Sequence, residues 1–166
     1  MTKKSVWLGL DLGNARIGLA LSDPELTFAH PEGVIQAGGD YFYAIDQIVD
    51  VIEDREVSHI VLGYPLKLDG AEGKSAKKVR RFAQALSRRL EEAGIDSQIE
   101  FTDERMTTVS AHDLLSQAGM SSRQHRAVVD TQSAVVILQS ALDSRKNKAA
   151  AQETISDNLP DNQEDA

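Results

Sequence analysis

The order of strand-like and helix-like hydrophobic patterns along the chain constrains its fold most strongly. An almost unbroken apolar run from Val6 to Asp11 is typical of a buried strand. Gly13-Asn14 then offers turn residues before a second run from Arg16 to Ser22, so the first two strands are predicted to form a hairpin. Later apolar runs alternate with segments of helical periodicity. A hairpin followed by such alternation predicts an α/β domain built on a mixed sheet.

Three more strands and four helices complete the predicted order, which gives a five-stranded mixed sheet with helices on both faces. The predicted strands span Val34 to Gln36, Ser58 to Gly63 and Gln98 to Thr102. The first predicted helix begins after Asp40, and the others span Ser75 to Ala93, Thr107 or Thr108 to Ala118, and Arg126 to Ser144.

Length and composition predict one soluble, unsecreted domain. The chain has 166 residues and 41% hydrophobic content, enough for a single core. It contains no cysteine, which excludes disulfides, thiolate metal sites and cysteine nucleophiles and fits a reducing cytosol. The N-terminal apolar run is too short for a signal peptide or a membrane span. We therefore expect a cytoplasmic protein without a membrane partner.

The C-terminal segment is predicted to lie outside the folded domain. Beyond Lys146 the sequence consists mainly of Ala, Gln, Asn and acids without periodicity, which is typical of disorder. Residues 153–166 carry five acids and no basic residue, so the rest of the chain holds only −3 of the net charge of −8. We therefore predict a folded domain over residues 1–146 and a disordered acidic tail over residues 147–166.

One predicted helix carries concentrated positive charge although the chain as a whole is acidic. Seven basic residues and no acid lie between Lys74 and Arg89, on the arc opposite the apolar side of the helix. Aromatic residues make up only 5% of the chain, so contact with a phosphate backbone is favoured over base stacking. The residues predicted to position such a substrate are Lys74, Lys77, Lys78, Arg81 and Arg88.

Two acidic residues lie where burial of a charge would be costly. Asp11 ends the apolar run of the first strand, and Asp130 shares a helix face with the apolar Ala134 and Ile137. Asp11 can alternatively bond the amides of the following turn, and Asp130 can alternatively cap a helix that begins at Thr131. An acid on a buried face usually has a partner.

Two further acids, Asp103 and Glu104, directly follow the last predicted strand. Alternation places their side chains on opposite faces of the sheet, so the sequence leaves open which of them faces a site. Arg105 can pair with either acid. The ordinary interpretation of this triplet is a charged corner between a strand and a helix.

These acids come from three separate elements and are predicted to meet near the carboxyl ends of strands, where open α/β sheets place their ligand sites. Clustered carboxylates repel one another unless they take up a proton or bind a cation. Because the chain lacks cysteine and its four histidines show no ligand spacing, oxygen ligands favour a hard ion, Mg²⁺ or Mn²⁺. Such an ion polarises a phosphodiester and activates water, so the pattern predicts hydrolysis of a nucleic acid.

Four blocks of the sequence resemble one known family. They are GLDLGNARIGLALSD (9–23), VLGYPLKLDGAEGKSAKKVRRFA (61–83), TDERMTTVSAHDLL (102–115) and VVDTQSAVVILQSALD (128–143), and together they are similar to the YqgF family. These small ribonuclease H-like proteins were first described as Holliday junction resolvases and are associated with maturation of the 5′ end of precursor 16S rRNA. The resemblance covers residues 5–143 and implies a ribonuclease H-like fold. Tyr64 stands where the family usually has leucine, and we expect little consequence.

The resemblance also implies roles for individual acids. It carries the family's acidic positions onto Asp11, Asp103, Glu104 and Asp130, with Arg105 completing the DER block. We expect a metal-dependent endonuclease acting on precursor rRNA, with Asp11, Glu104 and Asp130 as catalytic metal ligands. Asp103 and Arg105 would support the site or contact phosphate.

Two other functions remain open from the sequence. The same acids could cleave branched DNA, although a resolvase normally works as a symmetric dimer and we expect a monomer or a weak homodimer. A non-catalytic nucleic-acid-binding factor in ribosome assembly or transcription is disfavoured because every acid is present. Asp11-Leu12-Gly13 resembles a phosphate loop of actin-like ATPases, but those proteins need two such domains.

Overall fold

The computed structural model describes residues 5–13, 15–38, 41–104 and 122–157, with the backbone alone at residues 42, 122–130 and 153–157. Its strands are β1 (Val6–Leu12), β2 (Arg16–Ser22), β3 (Ala29–Gln36), β4 (Val57–Tyr64) and β5 (Gln98–Asp103). Its helices are α1 (Tyr41–Asp54), α2 (Lys74–Glu92) and α3 (Ser122–Asp157). The helix predicted from Thr107 or Thr108 to Ala118 lies outside the described residues.

The five strands form one mixed sheet in the order β3-β2-β1-β4-β5. The pairs β1–β2 and β2–β3 are antiparallel, whereas β1–β4 and β4–β5 are parallel. The predicted hairpin and the predicted five-stranded mixed sheet are therefore confirmed. Because β1, β4 and β5 run in the same direction, their C-terminal ends lie at one edge of the sheet, which we call the carboxyl edge.

Helices cover both faces of the sheet, as the sequence predicts. On one face α1 and α2 enclose a core in which Leu8, Leu10 and Leu62 are fully buried. On the other face α3 packs against Trp7 and Val61. Successive side chains of a strand point to opposite faces, so strands covered on both sides must be apolar almost throughout. None of the described helices is long and apolar enough to cross a bilayer.

Helix α3 approaches the sheet closely where β1 and β4 carry glycine. A Cβ at Gly9 would lie 2.7 Å from Leu138 Cβ and 2.8 Å from the Ala134 carbonyl oxygen. A Cβ at Gly63 would lie 2.6 Å from Ile137 Cδ1. Since any larger residue would overlap the helix, these two glycines set the separation between α3 and the sheet.

Strand β3 begins earlier than predicted. The sequence places its start at Val34 because Pro31 interrupts the preceding run, yet the strand starts at Ala29. Pro31 pairs in register with Ala20, beside a register shift between Leu19 and Ala20. A proline is tolerated there because β3 is an edge strand, with one side free of ladder hydrogen bonds.

Helix α3 is longer than predicted at both ends. It runs from Ser122 to Asp157, whereas the sequence predicts a helix from Arg126 to Ser144 followed by disorder from residue 147. Among the residues whose side chains are described, Leu142 is the last buried one, and residues 143–152 are exposed. Ala, Lys and Gln have high helix propensity, so the backbone continues as a helix after its apolar face has ended. The structure therefore continues α3 through residues 147–157, where the sequence predicts disorder, and residues 158–166 lie outside the described part of the chain.

Candidate active site

Asp11 lies at the end of β1 on the face that α3 covers. Trp7 and Gly9 contact α3, and strand alternation puts the Asp11 side chain on that same face. The residue is partly buried, opposite Gly18 in the antiparallel register with β2. The Asp11 carboxylate therefore lies at the carboxyl edge of the sheet, on the face that α3 covers.

Glu104 reaches the same place from β5. Gly63 pairs in parallel register with Thr102, so both residues face α3, and Glu104 follows two positions later on the same side. A Cβ at Gly63 would overlap Glu104 Oε1 and lie 3.0 Å from its Cδ. Because Gly63 has no side chain, the Glu104 carboxyl group can occupy the space next to it.

The two carboxyl groups meet. Asp11 and Glu104 lie within hydrogen-bonding reach of each other, and two carboxyl groups form a hydrogen bond only while one of them carries a proton. Burial raises the pKa of Glu104, the hydrogen bond with Asp11 acts in the opposite direction, and the nearby charge of Asp103 raises the pKa again. Of the two acids, Glu104 is therefore the one that contacts Asp11, while Asp103 pairs in register with Tyr64 and acts on Glu104 through its charge.

The third predicted acid, Asp130, belongs to a part of α3 where the backbone alone is described, and Arg105 lies outside the described residues. Among the residues whose side chains are described, no group of three acids or histidines is arranged to hold a metal ion. Two of the three predicted ligands are nevertheless together. Two adjoining carboxyl groups are a donor set suited to a hard divalent cation, because a cation relieves the same repulsion as a proton would.

The amphipathic pattern of α2 presents its cations to solvent. Val79, Phe82 and Leu86 are buried, whereas the five residues predicted to position a substrate are exposed. Those five are Lys74, Lys77, Lys78, Arg81 and Arg88. Tyr64 at the end of β4 donates a hydrogen bond to Glu72, so the first turn of α2 lies at the carboxyl edge.

Ion pairing divides the seven basic residues of α2 into two groups. Arg80 pairs with Glu72 at 3.0 Å, and Arg89 pairs with Asp46 at 2.7 Å. Within the described part of the chain, none of the five predicted substrate-binding residues forms an ion pair. Those five therefore provide positive charge that an anionic ligand can use.

Sequence reasoning missed Tyr41 and Gly63. The hydroxyl of Tyr41 donates a hydrogen bond to the carbonyl of Gly13, two residues beyond Asp11, and no sequence pattern predicts this contact. Gly63 was treated as the end of a strand, although its lack of a side chain makes room for Glu104. Both roles depend on contacts between distant segments, and the glycine before Tyr64 was the only available sequence signal.

Comparison with known proteins gives relatives that span most of the chain. A protein of Bifidobacterium longum (strain DJO10A) named "Putative pre-16S rRNA nuclease" is 58% identical over 86% of this chain and 99% of its own length. A protein of the same name from a Nocardioides species is 40% identical over 90% of this chain and 94% of its own length.

Among solved structures, Thermus thermophilus RuvC bound to a Holliday junction substrate shares the fold. It matches with a TM-score of 0.53 at 16% identity, over 86% of this chain and 96% of its own. The ribonuclease H-like fold expected from the resemblance is confirmed. A family model described as "RuvX: Holliday junction resolvase" matches residues 5–144. The chain therefore belongs to the RuvX family of nucleases, the family also called YqgF.

Proposed function

We propose that this nuclease is a divalent-metal-dependent endonuclease whose metal is held by Asp11, Glu104 and Asp130. The observation that carries the proposal is the hydrogen-bonded pair of carboxyl groups, Asp11 and Glu104, at the carboxyl edge of the sheet. A partly buried pair of acids destabilises the folded protein, because each negative charge makes ionisation of the other less favourable. Such a pair is therefore expected where it has a function. Nucleases that hydrolyse phosphodiesters at a metal need such oxygen ligands.

In this mechanism the chain supplies ligands, orientation and charge. A bound Mg²⁺ or Mn²⁺ supplies Lewis-acid polarisation of the phosphodiester and activation of a water molecule. Asp11, Glu104 and Asp130 from α3 would hold this ion, with the carboxyl groups of Asp11 and Glu104 both ionised. Asp103 keeps negative charge beside Glu104, and Arg105 contacts a substrate phosphate. The exposed cations of α2 hold the phosphate backbone so that the scissile bond lies over the acids.

We propose precursor 16S rRNA, processed at its 5′ end in the cytoplasm, as the substrate. The support is the name carried by relatives at 58% and 40% identity, which align over nearly their whole length. The cations of α2 fit this proposal because they recognise phosphate without selecting a base sequence. A monomer or weak homodimer suffices for cleavage of one strand.

Branched DNA is the second candidate substrate. It is favoured by the description of the family model and by the fold shared with a RuvC protein bound to a Holliday junction. Because a junction is cut on two strands, this function requires a symmetric dimer.

The test is cleavage by the purified chain, with Mg²⁺ or Mn²⁺, of precursor rRNA and of a four-way DNA junction assayed side by side. We expect cleavage of the rRNA precursor, and a loss of about 100-fold or more in Asp11→Asn and Asp130→Asn. Asp50→Asn, an exposed acid of α1, is the matched control and should retain activity. Wild-type activity in Asp11→Asn would contradict the assignment of the site.

A further inference from the structure

A groove of about 440 Å³ lies between α1 and α2, on the face of the sheet opposite α3. This volume is in the range of small-molecule sites. Its floor is almost entirely apolar and consists of Tyr41, Ile45, Phe82 and Ala85. None of these residues is used by the mechanism above.

The groove opens at the carboxyl edge. Tyr41 is the first residue of α1, and its hydroxyl bonds the carbonyl of Gly13 just beyond Asp11. Its ring meets Phe82 edge-on, with the ring centroids 6.1 Å apart, and the Lys78 ammonium lies 4.2 Å from its centroid. These three contacts hold the partly exposed ring of Tyr41 beside the turn that follows Asp11.

The rim of the groove is cationic. It is formed by Lys74, Lys77, Lys78 and Arg81, all exposed and without an ion pair within the described residues. An occupant must therefore combine a flat or apolar part, which covers the floor, with negative charge, which meets the rim. A nucleotide has this combination in its base and its phosphate.

The groove favours a short occupant. Its continuation towards the C-terminal end of α2 is lined by Asp46, Arg88, Arg89 and Glu92, and both carboxylates pair with Arg89. A long acidic peptide lying along both helices would meet these carboxylates, whereas a single nucleotide would stop before them.

We propose that this groove binds one unpaired nucleotide of the substrate, with its base on Tyr41 and its phosphate on the rim of α2. The inference rests on the proposed nuclease function and deepens it. A substrate in which an unpaired nucleotide adjoins the scissile phosphate would contact both Tyr41 and the cationic rim, whereas a fully paired RNA helix would contact only the cations. The enzyme would thereby select junctions between paired and unpaired RNA.

The test fills the groove and compares two RNA hairpins. Ala85→Phe places a ring over the apolar floor, and Gln84→Phe, the matched control, places the same ring on the exposed side of α2, away from the groove. The probes are a fluorescent hairpin with a three-nucleotide unpaired 3′ extension and the same hairpin with a blunt end. Binding is measured in EDTA, so that no cleavage occurs.

We expect Ala85→Phe to weaken binding of the extended hairpin about tenfold and to leave the blunt hairpin within about twofold, because only an unpaired base can enter the groove. Gln84→Phe should change neither affinity. Equal weakening for both hairpins, or no weakening for either, would overturn the proposal; the second result is also the one expected if the groove binds an acidic peptide.

A measurement on the wild-type chain keeps the proposal testable if Ala85→Phe folds poorly. A 4-thiouridine in the unpaired extension should crosslink on irradiation to the tryptic peptide that contains Tyr41. Crosslinks confined to other peptides would contradict the proposal. A chain that binds the extended hairpin in this way but cleaves no nucleic acid with Mg²⁺ would refute the nuclease mechanism and leave the groove assignment intact.

Discussion

The environment of the Glu104 carboxyl group is set by its neighbour in the sequence and by two residues far from it. Gly63 gives it space, Asp11 lies within hydrogen-bonding reach, and the adjacent Asp103 adds a repelling charge. Sequence periodicity could place Asp103 and Glu104 on opposite faces but could not say which of them meets Asp11. That answer required the parallel register between β4 and β5, which no local pattern encodes.

Gly63→Ala tests the space that Glu104 occupies. The new methyl group would overlap Glu104 and Ile137, so we expect unfolding to become easier by about 1–3 kcal/mol and cleavage to fall sharply. Urea denaturation and initial cleavage rates measure the two effects. Gly73→Ala is the control, because its Cβ would meet only the flexible Lys67 side chain, at 3.3 Å. Equal effects of the two substitutions would contradict this account of Gly63.

Glu104→Gln tests the raised pKa of Glu104 in the metal-free chain. The folded chain holds the Glu104 proton more tightly than the unfolded chain, whose pKa is near the ordinary value of 4.5. Stability from this proton is therefore present at low pH and is lost as pH rises through the raised pKa. In EDTA we expect the variant to have a higher Tm than wild type at neutral pH, with the difference vanishing below about pH 4. A lower Tm of the variant at neutral pH would contradict this.

Helices α2 and α3 show what a helical pattern in a sequence can predict and what it cannot. The apolar face of α2 predicted both its burial and the exposure of its cations, because one amphipathic helix fixes both. In α3 the apolar face ends at Leu142 while the backbone continues to Asp157. Periodicity reports where a helix packs, and backbone propensity decides where it stops.

Salt dependence tests which cations of α2 contact phosphate. Lys77→Ala should weaken RNA binding and reduce the slope of log K against log salt concentration by about 1, since one phosphate contact is lost. Arg89→Ala should leave the slope nearly unchanged, because Arg89 is already paired with Asp46. Titrations at several salt concentrations give both slopes, and identical slopes for the two variants would be inconsistent with the division into paired and available cations.

Removal of residues 145–166 tests where the folded domain ends. Residues 143–152 are exposed, and Leu142 is the last buried residue of α3 within the range whose side chains are described. We expect the truncated chain to unfold at nearly the same urea concentration as the full chain. A large drop in the midpoint would show that the C-terminal part of α3 supports the domain.

At the scale of the whole molecule, the sequence predicted the topology well and named two acids that the fold brings together. The hairpin, the alternation of strands and helices and the mixed sheet follow from periodicities that each element carries within itself. The meeting of Asp11 with Glu104 depends on strand order, and the groove at Tyr41 depends on the packing of α1 against α2. Both are properties of the assembled sheet and its helices, so a linear pattern could suggest the acids but could not position them.

The central claim is that acids from separate elements form one binding site for a hard divalent ion. Isothermal titration of Mn²⁺ into the wild-type chain, Asp11→Asn, Glu104→Gln and the control Asp50→Asn tests it directly. The account predicts binding to wild type and to Asp50→Asn, and affinity reduced about tenfold or more in the other two variants. Equal Mn²⁺ affinity in all four proteins would contradict it.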